Sequence, residues 1–311
     1  NAGGELGLAP THEEPITNLM TKFISSYKDL PIYVYQFQTK FRNELRAKSG
    51  ILRTREFLMK DLYSFSADEE SHHHFYGQVD IAYKQIFQRL GLGDCTYKTY
   101  ASGGAFAKYS HEYQTITPVG EDVIYINQDQ SIILNEEVLS DLGAKREDFT
   151  PVNAAEVGNI FTLRYKFSEP IGLKFDDQNG VKKTVFMGSY GIGVSRVMGV
   201  IAEKFADDKG LVWPENLAPF KYYLIGIGEK AEKLCNELHQ KYSDSILLDD
   251  RPLRPGEKFA DAELMGIPYR LVISDRTLET NSVELVERKS SKTETTSLDT
   301  LKNSLDMLSL S

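Results

Sequence analysis

The stretch that most constrains this chain runs from Tyr33 to Phe65, YVYQFQTKFRNELRAKSGILRTREFLMKDLYSF. Its ends are rich in Tyr, Phe, Val and Leu, as β-strands are, and its basic middle contains the turn pair Ser49-Gly50. The pattern predicts one long antiparallel hairpin carrying an unusual load of charge. Strand side chains alternate faces, so Arg42 and Glu44 share one face of the first strand. On the second strand Arg53, Arg55, Phe57 and Asp61 share a face in the same way. Two readings are open for such a surface. It is either the floor for a flat, charged ligand or a solvated sheet face with cross-strand ion pairs.

Around the hairpin, apolar spacing predicts a helix over Glu13–Asp29 with Thr11 as its N-cap, stopped by Pro31. A second helix is expected from Ser66 or Asp68 to Leu90, closed by Gly91 and Gly93. Strand signals follow at Cys95–Ala101, Glu112–Pro118 and Asp122–Asn127, with the loop SGGAFAKYSHEY delivering His111 and Glu112. Leu134–Leu142 reads as a helix and Gly143–Thr150 as a polar excursion. Strands return at Gly158–Leu163, Ile171–Phe175 and Thr184–Met187, with Asp177–Gly180 as a hairpin turn. Then glycines run straight into an apolar helix, GSYGIGVSRVMGVIAEKF. This half is antiparallel sheet with helices packed on it.

WPENLAPF, residues 213–220, carries two prolines and reads as a linker. Beyond it, strands at Tyr222–Ile227, Ser245–Leu248, Tyr269–Ser274 and Val283–Glu287 alternate with helices at Lys230–Lys241 and Lys258–Met265. That alternation predicts a smaller α/β domain with a largely parallel sheet. The tail is polar and ends in an amphipathic helix over Leu298–Leu308.

Composition narrows the function classes. No run of about eighteen apolar residues occurs, so no membrane-spanning helix is expected. The formal charge of −9 argues against nonspecific nucleic-acid binding through bulk charge, though not against a local basic patch. Cys95 and Cys235 match no metal-ligand spacing, and a reducing compartment is the default. His72-His73-His74 points in three directions on a helix and reads as a solvated face. The opening NAGGELGLAP lacks an initiator Met and a signal peptide, and is expected to lie inside a longer protein.

The hairpin and the glycine-led helix fit together if the ligand is a nucleotide. Arg42 would meet a phosphate through a planar, permanently charged fork, and Phe57 offers a face on which a base can stack. Arg196, one turn into the helix, would reach the terminal phosphates, and Gly191 and Gly193 would let backbone approach a ring or ribose. Neither the Walker loop nor the dinucleotide fingerprint is present.

FRNE followed by RTREFLMKD resembles the second signature of class II aminoacyl-tRNA synthetases, filled here by Arg42, Glu44, Arg53, Phe57 and Asp61. SYGIGVSR resembles the third signature, ending at Arg196. LAPTHEEPIT, LRTREFLMKDLYSF, SHEY, EVGNIF, GSYGIGVSR and RPGEKFADAELMGIPYRLVI are similar to the bacterial-type prolyl-tRNA synthetases, and the likeness covers nearly the whole chain.

The resemblance implies an α+β catalytic domain over residues 1–216, an α/β anticodon-binding domain over 217–289 and a tail over 290–311. It implies an enzyme that uses ATP and Mg²⁺ to activate L-proline and transfers it to tRNA(Pro). Thr11 and Glu13 would hold the proline amino group, and two acceptors suit its two N–H donors. Arg42 would bind the α-phosphate and the proline carboxylate. Glu44, Phe57, Arg53, Gly193 and Arg196 would bind ATP, and His111 would line the proline pocket. Helix capping for Thr11 and Glu13, and a buried structural role for His111, are the plain alternatives. Arg251, Arg254 and Lys258 are candidates for anticodon contact, and Arg46, Lys48 and Arg53 for the acceptor end of the tRNA.

A preceding segment with the first signature is expected, and with it a homodimer. A cytoplasmic or organellar-matrix location follows. Relatives insert an editing domain where this chain has only residues 137–156, too short for a domain. No editing of alanine in cis is therefore expected. Two other functions compete: a non-catalytic synthetase-like RNA-binding or accessory protein, and a class II synthetase for another small amino acid.

Overall fold

The computed structural model describes residues 7–45, 47, 49–104 and 108–308. The chain divides into two compact units, Asn1–Ile201 and Ala202–Ser311.

In the first unit, helix α1 (Glu13–Met20) stops well short of the expected Asp29. The Asp29 carboxylate accepts from the backbone N–H groups of Ser25 and Ser26 at 2.9 and 2.8 Å. That local capping draws the chain into a separate 3-10 turn, Tyr27–Asp29. Thr11 is not the cap; His12 holds the N-cap position and makes no side-chain capping bond. The hairpin forms, with β1 (Ile32–Phe41) and β2 (Glu56–Ser66) in unbroken antiparallel register. Arg42 and Glu44 lie beyond the end of β1 and Arg53 and Arg55 before the start of β2, so the expected shared strand face holds only for Phe57 and Asp61.

Helix α2 (Glu69–Arg89) starts at Asp68, whose carboxylate accepts from the Ser71 N–H at 2.8 Å. Its His73 and His74 face solvent, but His72 is fully buried, 2.9 Å from the Thr162 hydroxyl. Burial pulls the His72 imidazole down to about 4, so it packs as a neutral ring. The reading of the triplet as one solvated face fails at its first member.

Strands β3 (Thr96–Ser102), β4 (Tyr109–Ile116), β5 (Asp122–Asn127) and β6 (Ile133–Asn135) come next. The helix expected over Leu134–Leu142 is instead β6 and a 3-10 turn, Glu136–Val138. Leu134, Val138 and Leu139 bury around Tyr125, so their apolar spacing serves a turn packed on a strand. Strand β7 (Phe149–Arg164) is sixteen residues long and absorbs part of the expected polar excursion. Ile171 ends a short helix, α3 (Ser168–Ile171), before a small hairpin of β8 (Lys174–Asp176) and β9 (Lys182–Thr184). The glycines before the last helix of this unit form a strand of their own, β10 (Phe186–Ile192), buried along its whole length. Helix α4 begins only at Val194 and runs to Phe205.

These strands form an eight-stranded sheet in the order β1-β2-β10-β7-β4-β3-β6-β5, antiparallel except for the β3–β6 bridge. Alternation gives the sheet two different faces. Tyr83 and Phe87 of α2 pack on one of them against Tyr113. On the other, Met20, Ile24, Leu173 and Phe175 cover only the end near Phe65 and Met187. Among the described residues the end near Phe57 and Gly191 carries no such apolar cover.

The second unit holds β11 (Tyr222–Ile227), α5 (Glu229–Lys241), β12 (Ile246–Leu248), α6 (Pro255–Met265) and β13 (Tyr269–Ser274). A short α7 (Asp275–Leu278), β14 (Ser282–Glu287), β15 (Thr293–Ser297) and α8 (Leu298–Leu308) complete it. Its sheet runs β12-β11-β13-β14-β15. Only β11 with β12 and β13 is parallel; β14 and β15 add antiparallel. Residues 275–281 and 288–292 are too short for a parallel crossover, which takes a dozen or more. Leu298, Leu301 and Leu305 of α8 bury in the same core as Leu238 and Tyr242. The expected linker is docked too: the Trp213 indole N–H donates to the Met265 carbonyl at 3.1 Å.

Candidate active site

One row of residues crosses the uncovered end of the first sheet: Gln36, Asp61, Gly191, Asn159 and Glu112, each directly opposite the next. Phe57, Met59 and Tyr63 share this face through strand alternation, as does Ser189 beside Tyr63. Two bonds tie the residues that follow β1 to those that precede β2. Arg42 N–H donates to the Arg55 carbonyl at 2.9 Å, and Arg55 Nε to the Glu44 carbonyl at 2.9 Å.

A cleft of about 290 Å³ lies over the row and brings together Arg42, Glu44, Arg53, Phe57, Gly193 and Arg196. The Arg42 guanidinium sits 5.1 Å from the Phe57 ring centroid, and its Nε donates to the Pro10 carbonyl at 3.2 Å. Arg53 is held between two carboxylates, Glu44 at 2.8 Å and Glu121 at 2.6 Å. Arg196 donates to the carbonyls of Leu52 at 2.9 Å and Glu156 at 2.8 Å, which ties α4 to the hairpin loop and to β7. Close backbone approach is demanded at Gly191, where a Cβ would lie 2.9 Å from Asn159 Oδ1. At Gly193 the same atom meets only the Arg196 Cβ at 3.6 Å, ordinary contact.

The far wall of this cleft is acidic. Glu112 accepts from Gln114 Nε2 at 2.9 Å and Asn135 Nδ2 at 3.2 Å. Burial, reinforced by the charge of Glu156, pushes the Glu112 carboxyl up to about 8. Asn159 Nδ2 holds Glu156 Oε1 at 2.8 Å. Among the described residues no three His, Cys, Asp or Glu side chains converge on one point for a metal. Glu112 and Glu156, two partly buried carboxylates on this cleft, nevertheless fit a hard divalent cation that arrives on a polyphosphate, since Mg²⁺ bound with phosphates uses one or two protein carboxylates.

A second cleft, about 220 Å³, lies beside the first and is lined by Thr11, Glu13, Asp61, Tyr63, Phe161 and Ser189. Arg42, Met59, Glu156, Asn159 and Gly191 line both. Glu13 is 5% exposed, and both its oxygens are engaged. The Thr11 hydroxyl donates to one and the Ser189 hydroxyl to the other, the latter at 3.1 Å. Asp61 accepts from Gln36 Nε2 at 2.9 Å and the Tyr63 hydroxyl at 2.7 Å.

His111 does not join them. It lies one position from Glu112 on β4 and so on the α2 face, where its Nδ1 meets the Tyr76 hydroxyl at 2.6 Å. Burial holds its imidazole at about 4, a neutral packed ring. The placement of His111 in a substrate pocket is corrected accordingly. Glu112, Glu156, Asn159, Ser189 and Lys40 are the site residues that motif reading passed over. SHEY and EVGNIF contained three of them, but their facing Asp61 depends on the pairing of β4, β7 and β10.

In the second unit Arg251 makes a two-pronged ion pair with the buried Asp249 and a third contact with Asp261 at 2.8 Å. Lys258 is 5% exposed and donates to the Asp249 carbonyl at 3.0 Å, a structural position that corrects its assignment as an RNA contact. Arg254 is exposed at the start of α6. Arg46 and Lys48 lie outside the described residues.

A family described as tRNA synthetase class II core domain (G, H, P, S and T) matches residues 1–205, and one described as anticodon binding domain matches residues 221–307. A proline–tRNA ligase of Anaplasma marginale is 36% identical, covering 96% of this chain and 75% of the relative. One of Ehrlichia chaffeensis is 38% identical, covering 91% and 72%. A crystal structure of prolyl-tRNA synthetase from Cryptosporidium parvum, complexed with L-proline and AMP, superposes with a TM-score of 0.72 at 23% identity. It covers 96% of this chain, which spans 57% of that one, and at this identity the likeness is one of fold.

Proposed function

The chain belongs to the proline–tRNA ligases of the class II tRNA synthetase family, and on that premise we propose the reaction its site carries out. The site joins L-proline to ATP as prolyl-adenylate, releasing pyrophosphate, and passes the prolyl group to the 3′-terminal ribose of tRNA(Pro). One observation carries the reading: Arg42 lines both clefts, so a single guanidinium faces the place where two substrates must meet.

In the smaller cleft Glu13 and Thr11 receive the proline ammonium, with Ser189 fixing the second carboxylate oxygen. That directs the substrate carboxylate toward Arg42. In the larger cleft Phe57 stacks the adenine, Glu44 takes the ATP side, and Arg53 and Arg196 face the phosphate tail. The proline carboxylate attacks the α-phosphate in line, and the bond to pyrophosphate breaks. Arg42 stabilises the charge that grows on the phosphoryl oxygens, and catalysis is otherwise positioning. Glu112 and Glu156 would hold the Mg²⁺ that enters with ATP and neutralises phosphate charge. No dedicated general base is required.

The catalytic body is assigned to residues 1–216 and anticodon reading to 217–289, with the exposed Arg251 and Arg254 as its contacts. Arg46 and Lys48 are proposed to meet the acceptor end. A homodimer and a cytoplasmic or organellar-matrix location belong to the same reading.

Amino-acid-dependent exchange of pyrophosphate into ATP by the full-length protein tests it. Exchange with proline supports the ligase. Exchange with threonine or glycine instead points to another synthetase, and exchange with none to a non-catalytic relative.

A further inference from the structure

The amino end of the smaller cleft contains two buried carboxylates where one substrate ammonium needs only one. Glu13 and Asp61 are 5% and 2% exposed. Left alone, two such carboxylates repel. Each would also compete for the substrate's single positive charge.

The fold answers with Lys40. This side chain projects from β1 onto the site face and is 1% exposed. Its ammonium lies 2.9 Å from Asp61 Oδ1, which has no hydrogen-bond donor of its own among the described residues. The other Asp61 oxygen is served by Gln36 and Tyr63. Lys40 Nζ also meets His12 Nδ1 at 2.6 Å. A donating ammonium there leaves His12 as the neutral tautomer with its proton on Nε2. His12 stands between Thr11 and Glu13, so the same ammonium pins the segment that presents the acceptors.

We propose that Lys40 is the positioning residue that sets the charge of the proline pocket: it claims Asp61, leaving Glu13 as the one carboxylate open to the substrate ammonium. The inference rests on the ligase reading above and deepens it. Glu13, Asp61 and Lys40 together carry one net negative charge, the complement of one ammonium. Removing Lys40 alone leaves two. Removing Lys40 and Asp61 together returns the count to one, and taking out both members of a buried pair avoids the cost of stranding either.

The test is proline-dependent pyrophosphate exchange by the full-length protein, the Lys40→Arg and Lys40→Met variants, and the double variant Lys40→Met/Asp61→Asn. Lys40→Met is expected to raise the KM for proline at least tenfold while the KM for ATP stays within twofold. Lys40→Arg and the double variant should recover most of that loss. A second readout is inhibition by 4-aminoproline, whose extra ammonium makes it dicationic at its amino end. Lys40→Met should shift preference toward it, by at least fivefold relative to proline. A general loss of packing would not produce that shift.

If Lys40→Met fails to fold, the double variant keeps the inference exposed: a proline KM raised tenfold there overturns it. A proline KM within twofold of the parent in Lys40→Met overturns it as well, with the ligase reading intact. Absence of proline-dependent exchange in the unaltered protein overturns both.

Discussion

His111 and Glu112 are adjacent on one strand and belong to opposite sides of the molecule. His111 bonds the Tyr76 hydroxyl under helix α2, whereas Glu112 stands on the wall of the larger cleft, opposite Asn159. Mutation of the two side chains therefore has different expected effects. Glu112→Gln should lower kcat for pyrophosphate exchange about tenfold or more, with the fold intact, because an amide cannot become the anionic oxygen that a phosphate-borne Mg²⁺ would use. His111→Phe should keep exchange within about threefold and cost about 1–3 kcal/mol of stability by orphaning the Tyr76 hydroxyl. Steady-state exchange and thermal melts of both variants check this.

The same Glu112 gives a pH signature. Its carboxyl sits at about 8 in the fold against an ordinary 4.5, so the native state holds the proton more tightly than the unfolded chain. The stability it contributes is complete below the ordinary value and is lost as pH rises through about 8. Glu112→Gln, which cannot ionise, should therefore melt higher than the parent at pH 9 by more than it does at pH 5. Equal differences at the two pH values would contradict the burial of a titrating carboxyl there.

Much of this was legible in the chain. The Tyr33–Phe65 hairpin was legible from its aromatic and β-branched ends about a turn pair, and the structure pairs Ile32–Phe41 with Glu56–Phe65 antiparallel without a shift. Arg42, Phe57 and Arg196 converge because one follows directly on β1, one lies near the start of β2 and one lies in the first turn of α4. What was not legible depended on parity across unlinked strands. Whether His111 or Glu112 faces Asp61 is decided by the pairing of β4 with β7 and of β7 with β10, contacts that local pattern does not reveal. The apolar spacing of Leu134–Leu142 misled for a related reason, since packing around Tyr125 satisfies it as well as a helix would.

In the second unit the two basic positions at the start of α6 should separate cleanly. Arg254→Ala is expected to leave proline-dependent exchange unchanged and to raise the KM for tRNA(Pro) in aminoacylation. Lys258→Met should instead lower the melting temperature, by about 1–3 kcal/mol of stability, because it leaves the buried Asp249 carbonyl without its donor. Aminoacylation kinetics and melts of each variant discriminate the roles.

The connection between β6 and β7, residues 136–148, holds two 3-10 turns and no inserted domain. On the proposed reading the smaller cleft discriminates against alanine, and there each missing methylene is worth only about 1–3 kcal/mol. Alanine-dependent exchange should be measurable, and alanyl-tRNA(Pro) should survive incubation with the full-length protein at its spontaneous rate. Faster deacylation would show an editing activity that this connection does not house.

Arg42 faces both clefts, and the charged hairpin is the floor of a prolyl-adenylate site only if that guanidinium works on both substrates. Proline-dependent pyrophosphate exchange by full-length Arg42→Ala tests this most directly. A folded variant whose exchange falls at least about a hundredfold, the scale of losing one transition-state donor, is the expected result. Exchange at the parent rate would contradict the assignment.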